Sequence, residues 1–180
     1  MNSVCNSLAA NLGVFMFLIV LSIFVLVFID QLTKWLAVVY LSESASKVFI
    51  PGFIELTYHE NPGAAWGMLQ DHRWVFMVTS TVAIIAILIY LAKNRKDMHP
   101  LSVCAFTMIA AGGVGNMIDR LFVGYVVDFI NFLFMDFPVF NFADMCVTVG
   151  AAVMIVWLLF IDMPKAVREE KAKKAAEDKQ

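Results

Sequence analysis

The chain has 180 residues, 61% of them hydrophobic, with a formal net charge of −2 and a mean hydropathy of +0.79. Soluble domains are about 45–50% apolar, so an ordinary globular domain is excluded, and a near-neutral charge leaves no electrostatic footprint for a nucleic-acid partner. The three cysteines, Cys5, Cys104 and Cys146, have no metal-binding or redox spacing, so neither a metal nor a cofactor is expected.

The apolar excess is concentrated in four runs, Leu12–Ile29, Trp74–Ala92, Leu101–Ile118 and Met145–Ile161, none of which contains Asp, Glu, Lys, Arg or His. At about 1.5 Å of rise per residue, each approaches the roughly 30 Å hydrocarbon core of a bilayer. A buried soluble bundle is the competing reading, but the remaining polar sequence is too short to cover one. The first run lacks a basic leader and continues into Asp30-Gln31-Leu32-Thr33-Lys34, so it reads as a span and not as a cleaved signal peptide. The pattern predicts one membrane domain over 1–180, with transmembrane helices at about 12–34, 74–92, 101–120 and 144–161. An outer loop with a small sheet covers 40–73, and a charged cytoplasmic tail covers 163–180.

Nine of the 13 Lys and Arg residues lie in the connection after the second span or in the tail. Lys and Arg accumulate on the cytoplasmic side, so both termini are expected in the cytoplasm. This orientation brings Asp30, Lys34, Asn116, Asp119, Arg120, Asp128, Asn141 and Asp144 to the outer face.

In chain order, Asp30 and Lys34 are spaced i, i+4 and share a helix face. An interfacial cap with a snorkelling lysine would give the same pattern. Ile50-Pro51-Gly52-Phe53 reads as a turn. Ile54-Glu55-Leu56-Thr57-Tyr58-His59 alternates as a half-buried strand does. Asn61-Pro62-Gly63-Ala64-Ala65-Trp66-Gly67 offers small residues for close backbone approach, though a plain turn would read the same way. His59-Glu60 lacks the second histidine of a zinc-protease helix, because position 63 is glycine. His72 and His99 fall on opposite sides of the membrane.

Span three ends Gly112-Gly113-Val114-Gly115-Asn116-Met117-Ile118-Asp119-Arg120. Gly112 and Gly115 permit close helix packing, and Arg120 can clamp a carboxylate or donate to a peptide carbonyl. An interfacial ion pair ending a helix contact is the structural alternative. Tyr125 to Phe140 is interrupted by Asp136 and Pro138 and too short to span. It reads as an interfacial segment with aromatic anchors that holds Asp128 at the lipid–water boundary. Asp144 then opens span four, where a helix N-cap would also explain it. Two acids beside lipid are costly to keep ionised, and a pair sharing a proton can activate water.

Five motifs in this order closely resemble those of the bacterial lipoprotein signal peptidases, also called signal peptidase II. They are Asp30-x-x-Thr33-Lys34, Asn61-x-Gly63-Ala64-Ala65, Gly112-Gly113-x-Gly115-Asn116-x-x-Asp119-Arg120, Val127-Asp128-Phe129 and Phe140-Asn141-x-Ala143-Asp144. The resemblance covers about residues 12–162. Trp66 departs from it, where phenylalanine is more usual, and the lysine-rich tail is not part of the pattern. The resemblance implies an all-α integral membrane fold of four transmembrane helices, a small outer-face β-sheet and a short interfacial helix. It implies an aspartic endopeptidase of the bacterial inner membrane that cuts prolipoproteins before the diacylglyceryl-modified cysteine. Asp128 and Asp144 match the catalytic pair. Asn61, Asn116 and Arg120 match substrate-binding or supporting positions, with Gly63 in the same motif as Asn61. Asp30, Lys34, Asp119, Asn141 and Ala143 match the surrounding polar shell. Implied partners are lipidated prolipoproteins, membrane lipids and the cyclic-peptide inhibitor globomycin. Nothing calls for more than a monomer. A proton-coupled carrier and a non-catalytic membrane scaffold are the alternatives from other classes, but the acids cluster at one face and no inner acid completes a proton path.

Overall fold

The structure is a computed structural model that describes residues 2–43, 46–63 and 73–164. Ala64 to Gly67, His72 and the tail from 165 onward lie outside the described residues. Among the described residues, four helices are long and apolar enough to cross a membrane, over Leu12–Leu41, Trp74–Asn94, Pro100–Phe122 and Phe142–Asp162. They belong to α1 (Asn2–Leu41), α2 (Arg73–Asn94), α3 (Pro100–Phe122) and α4 (Phe142–Trp157), the last continuing as a π-helical turn over Leu158–Asp162. Their faces are largely bare of protein, as expected where lipid is the solvent: Phe17, Phe24, Phe28, Val78 and Val82 are all exposed.

α3 is central, packing against α1, α2 and α4. Glycines make its approach to α4 and α1 possible. A Cβ on Gly115 would lie 2.5 Å from Asp30 Oδ2 and 3.3 Å from the Ala143 Cβ, and one on Gly112 would collide with the Ala143 carbonyl. On α4, a Cβ at Gly150 would come within 2.9 Å of the Ala105 carbonyl. Small residues at these points let the helix backbones meet.

A three-stranded antiparallel sheet sits at one end of the bundle, in the order β1 (Lys47–Ile50), β2 (Ile54–Asn61), β3 (Val126–Phe132). Pro51 and Gly52 turn the chain between the first two strands. Gly52 has φ 73°, and Phe53 N–H donates to the Ile50 carbonyl at 3.0 Å, as a type II turn requires. A bulge between Leu56 and His59 changes the β2–β3 register, so that His59 pairs with Asp128 and Asn61 with Val126.

Two features depart from the sequence reading. α1 continues past residue 34 to Leu41 because Trp35 to Leu41 remains apolar and its inward face has a partner. Ala37 and Leu41 form a buried cluster with Val127 and Phe129, against which Leu56 and Tyr58 pack. The helix therefore extends beyond the charged cluster to support the sheet. The other departure is in the 125–140 segment, whose first half is strand β3. Its β-branched and aromatic residues suit a pleated surface, and Gly124, at φ 97°, turns the chain out of α3. The second half is an extended loop with a single bridge from Ile130 to Phe140. Phe53, Phe132, Phe134, Phe137 and Phe140 pack against one another at ring-centre distances of 4.6–6.0 Å, mostly tilted or edge-on. No short interfacial helix occurs among the described residues.

Candidate active site

The site begins with the cap of α4. Asn141 is the N-cap residue: its side-chain carbonyl accepts from Asp144 N–H at 3.0 Å, and the Asp144 carboxylate accepts from Asn141 N–H at 3.1 Å. This is a capping box with aspartate at the third position. Asp144 is thus not the cap itself. Its second oxygen remains turned away from the helix end, where it accepts from Asn116 Nδ2 of α3 at 2.8 Å.

Asp128 comes from the middle of β3 and is 1% exposed. One oxygen accepts from Asn61 Nδ2 at 2.9 Å and the other from Asn141 Nδ2 at 2.6 Å. The Asn141 amide also donates to Asn116 Oδ1 at 3.1 Å, which accepts Lys34 Nζ at 2.9 Å. With its oxygen bound to two donors, Asn116 must present its NH2 to Asp144. Two asparagines therefore bridge the two carboxylates, each fixed in orientation by its neighbours.

A buried charged cluster holds these elements in place. Lys34 lies 2.8 Å from Asp30 and 2.9 Å from Asp119. The other Asp30 oxygen accepts Ala143 N–H at 2.9 Å, which ties α1 to the start of α4. Asp119 accepts Val127 N–H at 3.3 Å, which ties α3 to the residue beside Asp128. Asp30 and Asp119 thus position the backbones on both sides of the Asp128–Asp144 pair. Ala143 contributes through its N–H and through its small size against Gly115.

Arg120 lies on the last turn of α3. Its guanidinium donates to the Gly63 carbonyl at 2.9 Å and to the Asn116 carbonyl at 3.4 Å, with Phe76 of α2 4.8 Å beneath it. Among the described residues its Nε is buried without a partner. Gly63 N–H in turn donates to Asn61 Oδ1 at 3.0 Å, so the carbonyl and the N–H of Gly63 fix Arg120 and Asn61 together.

Asp128, Asp144, Asn61, Asn116 and Arg120 all line one cavity of about 820 Å³. Apart from Thr148 the remaining wall is apolar, including Leu56, Phe76, Phe132 and Met145. Burial pushes the Asp128 carboxyl up to about 6. The hydrogen bond from Asn61 lowers it, the neighbouring Asp144 charge raises it, and Asn141 and Lys34 lower it. Such a cavity suits an extended peptide with apolar side chains whose carbonyl meets two carboxyl groups and a guanidinium.

All eleven site residues singled out in the sequence take part in this network or adjoin it. The sequence does not single out Gln31 or Phe76. Gln31 donates to Asp30 at 3.1 Å, to the Gly115 carbonyl at 3.2 Å and to Asp119 at 2.9 Å. A polar amide next to Asp30, one turn inside a span's outer end, was the available signal.

The chain is similar to known proteins in sequence and in fold. The family described as "Signal peptidase (SPase) II" matches residues 22–160. The chain belongs to the signal peptidase II family. It is 44% identical over 146 residues to a lipoprotein signal peptidase of Symbiobacterium thermophilum, covering 80% of this chain and 95% of that one. A lipoprotein signal peptidase of Streptococcus pyogenes serotype M2 is 43% identical over 141 residues, covering 78% and 92%. A bacterial membrane enzyme structure obtained by the in meso method at 1.9 Å resolution superposes with a TM-score of 0.73 at 34% identity, covering 82% of this chain and 96% of that one. A second at 2.3 Å resolution gives 0.72 at 34%, covering 81% and 89%. Membership in the signal peptidase II family makes the chain a protease, and its four spans make it a multi-pass membrane protein.

Proposed function

We propose that the protein removes signal peptides from prolipoproteins by cutting before the diacylglyceryl-modified cysteine, with Asp128 and Asp144 as the catalytic pair. One observation carries this reading: Asn141 bonds both carboxyl groups at once, Asp128 through its side-chain amide and Asp144 through its backbone N–H, and both line the cavity that Arg120 also faces. Two carboxyls in a partly buried site do not both ionise readily, so the pair holds one proton between them. Burial makes Asp128 the member disposed to keep that proton.

The chemistry then follows from the two protonation states. The ionised carboxylate takes a proton from a water molecule as its oxygen attacks the scissile carbonyl. The protonated carboxyl gives its proton to the carbonyl oxygen, forming a neutral tetrahedral diol. Collapse breaks the C–N bond as the nitrogen takes up a proton, and the pair regains its starting state. Asn61, Asn116 and Asn141 hold the acids, while Arg120 and Gly63 border the peptide path. Asp30, Lys34, Asp119 and Ala143 keep α4 and β3 in register.

The excess of Lys and Arg at the opposite end supports a cytoplasmic location for both termini and an active site at the outer face of the bacterial inner membrane. There the substrate's acyl chains remain in lipid. Withdrawing them would cost about 0.8 kcal/mol per methylene. Globomycin, as a cyclic peptide, would occupy the same cavity, and one copy of the chain supplies the whole proposed set. The test is to make Asp128→Asn and Asp144→Asn separately and to assay cleavage of a lipidated precursor peptide in detergent. Each variant should fold and lose activity by a factor of 1,000 or more, on the order expected for removing one member of a catalytic unit. Near-normal turnover by either one would remove it from the pair.

A further inference from the structure

Gln31 of α1 faces three acceptors and has no part in the proposed chemistry. Its Nε2 lies 2.9 Å from Asp119 Oδ1, 3.1 Å from Asp30 Oδ2 and 3.2 Å from the Gly115 carbonyl. Three acceptors admit only the NH2 end of an amide, so the side chain has one orientation. Gln31 is half-buried and stands outside the wall of the peptide cavity. Any effect it has on cleavage therefore passes through its partners.

The partners need a neutral donor. Lys34 is one cation between two carboxylates, 2.8 Å from Asp30 Oδ2 and 2.9 Å from Asp119 Oδ2, which leaves one negative charge over. Gln31 sets N–H groups against both acids without changing the charge. The two acids depend on it unequally. Asp30 keeps Lys34 on one oxygen and Ala143 N–H, at 2.9 Å, on the other. Asp119 keeps Lys34 and a longer bond from Val127 N–H, at 3.3 Å, both on Oδ2. Among the described residues, Gln31 is the side-chain donor that fixes Asp119 Oδ1. Without it the Asp119 carboxylate can turn, and the bond to Val127 is the weakest one it would give up. Val127 precedes Asp128 on β3, so that bond sets where Asp128 stands.

We infer that Gln31 is a positioning residue for cleavage, holding Asp128 in place through Asp119 and the Val127 N–H. This rests on the reading of Asp128 and Asp144 as the catalytic pair. The test assays the full chain in detergent on a lipidated precursor peptide. Gln31→Met keeps the length of the side chain and removes its donors. Its kcat should fall about tenfold or more, because small displacements of a reacting group are costly in rate. KM should stay within about twofold, because no peptide contact is lost. Gln31→Asn, which draws the amide back from Asp119, should show the same split. Amide exchange at Val127, read by NMR, should quicken in both variants. Ser102→Ala, at the far end of α3, loses a bond to the His99 carbonyl at 2.8 Å and is the control for stability alone. It should unfold at a lower temperature and keep kcat and the Val127 exchange rate of the wild type. Adding Gln31→Met to Asp119→Ala should slow cleavage no further than Asp119→Ala does. A normal kcat in both Gln31 variants, a loss confined to KM, or an equal kcat loss in Ser102→Ala overturns the inference. Multiplying losses in the double variant overturn the route through Asp119. Asp128→Asn separates the two levels. Near-normal turnover there overturns the catalytic pair and the role of Gln31 with it, whereas an inactive Asp128→Asn beside a fully active Gln31→Met overturns the role of Gln31 alone.

Discussion

Asn141 donates its side-chain amide to Asp128 at 2.6 Å while its carbonyl and backbone N–H close a capping box with Asp144. One residue thus fixes the helix that carries one acid and the orientation of the other. Asn141→Ala should cost about 1 kcal/mol through the lost cap. It also leaves a buried Asp128 oxygen without that donor, which adds ~1–3 kcal/mol. Cleavage should fall at least tenfold more than it does in a surface variant of equal stability. Thermal unfolding and precursor cleavage measured on the same preparation separate the two effects. Full activity in a destabilised Asn141→Ala protein would show that the amide only caps α4.

The pH profile should carry the signature of Asp128. Its folded carboxyl is pushed from 3.8 up to about 6, so the folded state binds this proton more tightly than the unfolded chain does. Its contribution to stability is full below 3.8 and lost as pH rises through about 6. Activity needs one proton on the pair, so the alkaline limb of kcat/KM should begin near that value. The Asn61 hydrogen bond favours the carboxylate. Asn61→Ala should therefore move the limb upward by about one unit, the equivalent of ~1.4 kcal/mol. A downward shift would contradict the assignment of that limb to Asp128.

Lys34 is the cation shared by two buried carboxylates, Asp30 and Asp119. Lys34→Met leaves both without it, and breaking a buried ion pair in this way costs about 3–5 kcal/mol. Adding Asp119→Asn should recover part of that loss, because one uncompensated charge disappears. The non-additivity of the cycle should exceed ~1 kcal/mol, measured by thermal unfolding in one detergent. Simple additivity would mean that Lys34 and Asp119 do not interact energetically.

How much of this was legible before the structure depends on the range of each interaction. Spans and acids were readable because hydrophobic length and side-chain charge are properties of single segments. Asp30 and Lys34 were readable because i, i+4 spacing is local. The role of Asn141 was not, because its partners Asp128 and Asn116 come from β3 and α3, and one sequence does not record lateral pairing. β3 was hidden for a related reason. Its aromatic and β-branched residues suit an interface as well as a strand, and only pairing with β2 decides between them. The extension of α1 to Leu41 needed the sheet as a partner, which local hydropathy does not reveal. Gln31 looks like any polar residue at a helix end until the Gly115 carbonyl and Asp119 face it.

Gly115 separates close packing from mere tolerance of glycine. A Cβ there would sit 2.5 Å from Asp30 Oδ2 and 3.3 Å from the Ala143 Cβ. Asp30 has no freedom to move aside, since Lys34, Gln31 and Ala143 N–H all hold its carboxylate. Gly115→Ala should therefore push α3 from α1 and α4 and destabilise by about 1–3 kcal/mol, the usual cost of overpacking. Because Ala143 N–H is bound to Asp30 and precedes Asp144, cleavage should fall along with stability. Gly113→Ala provides the comparison: among the described residues its Cβ would meet only the Ile84 side chain, at 3.4 Å. That contact is ordinary, and alanine is the better helix former by about 1 kcal/mol, so Gly113→Ala should match the wild type or exceed it in unfolding temperature. Equal behaviour of the two variants would show that the α3 approach to Asp30 is looser than the geometry requires.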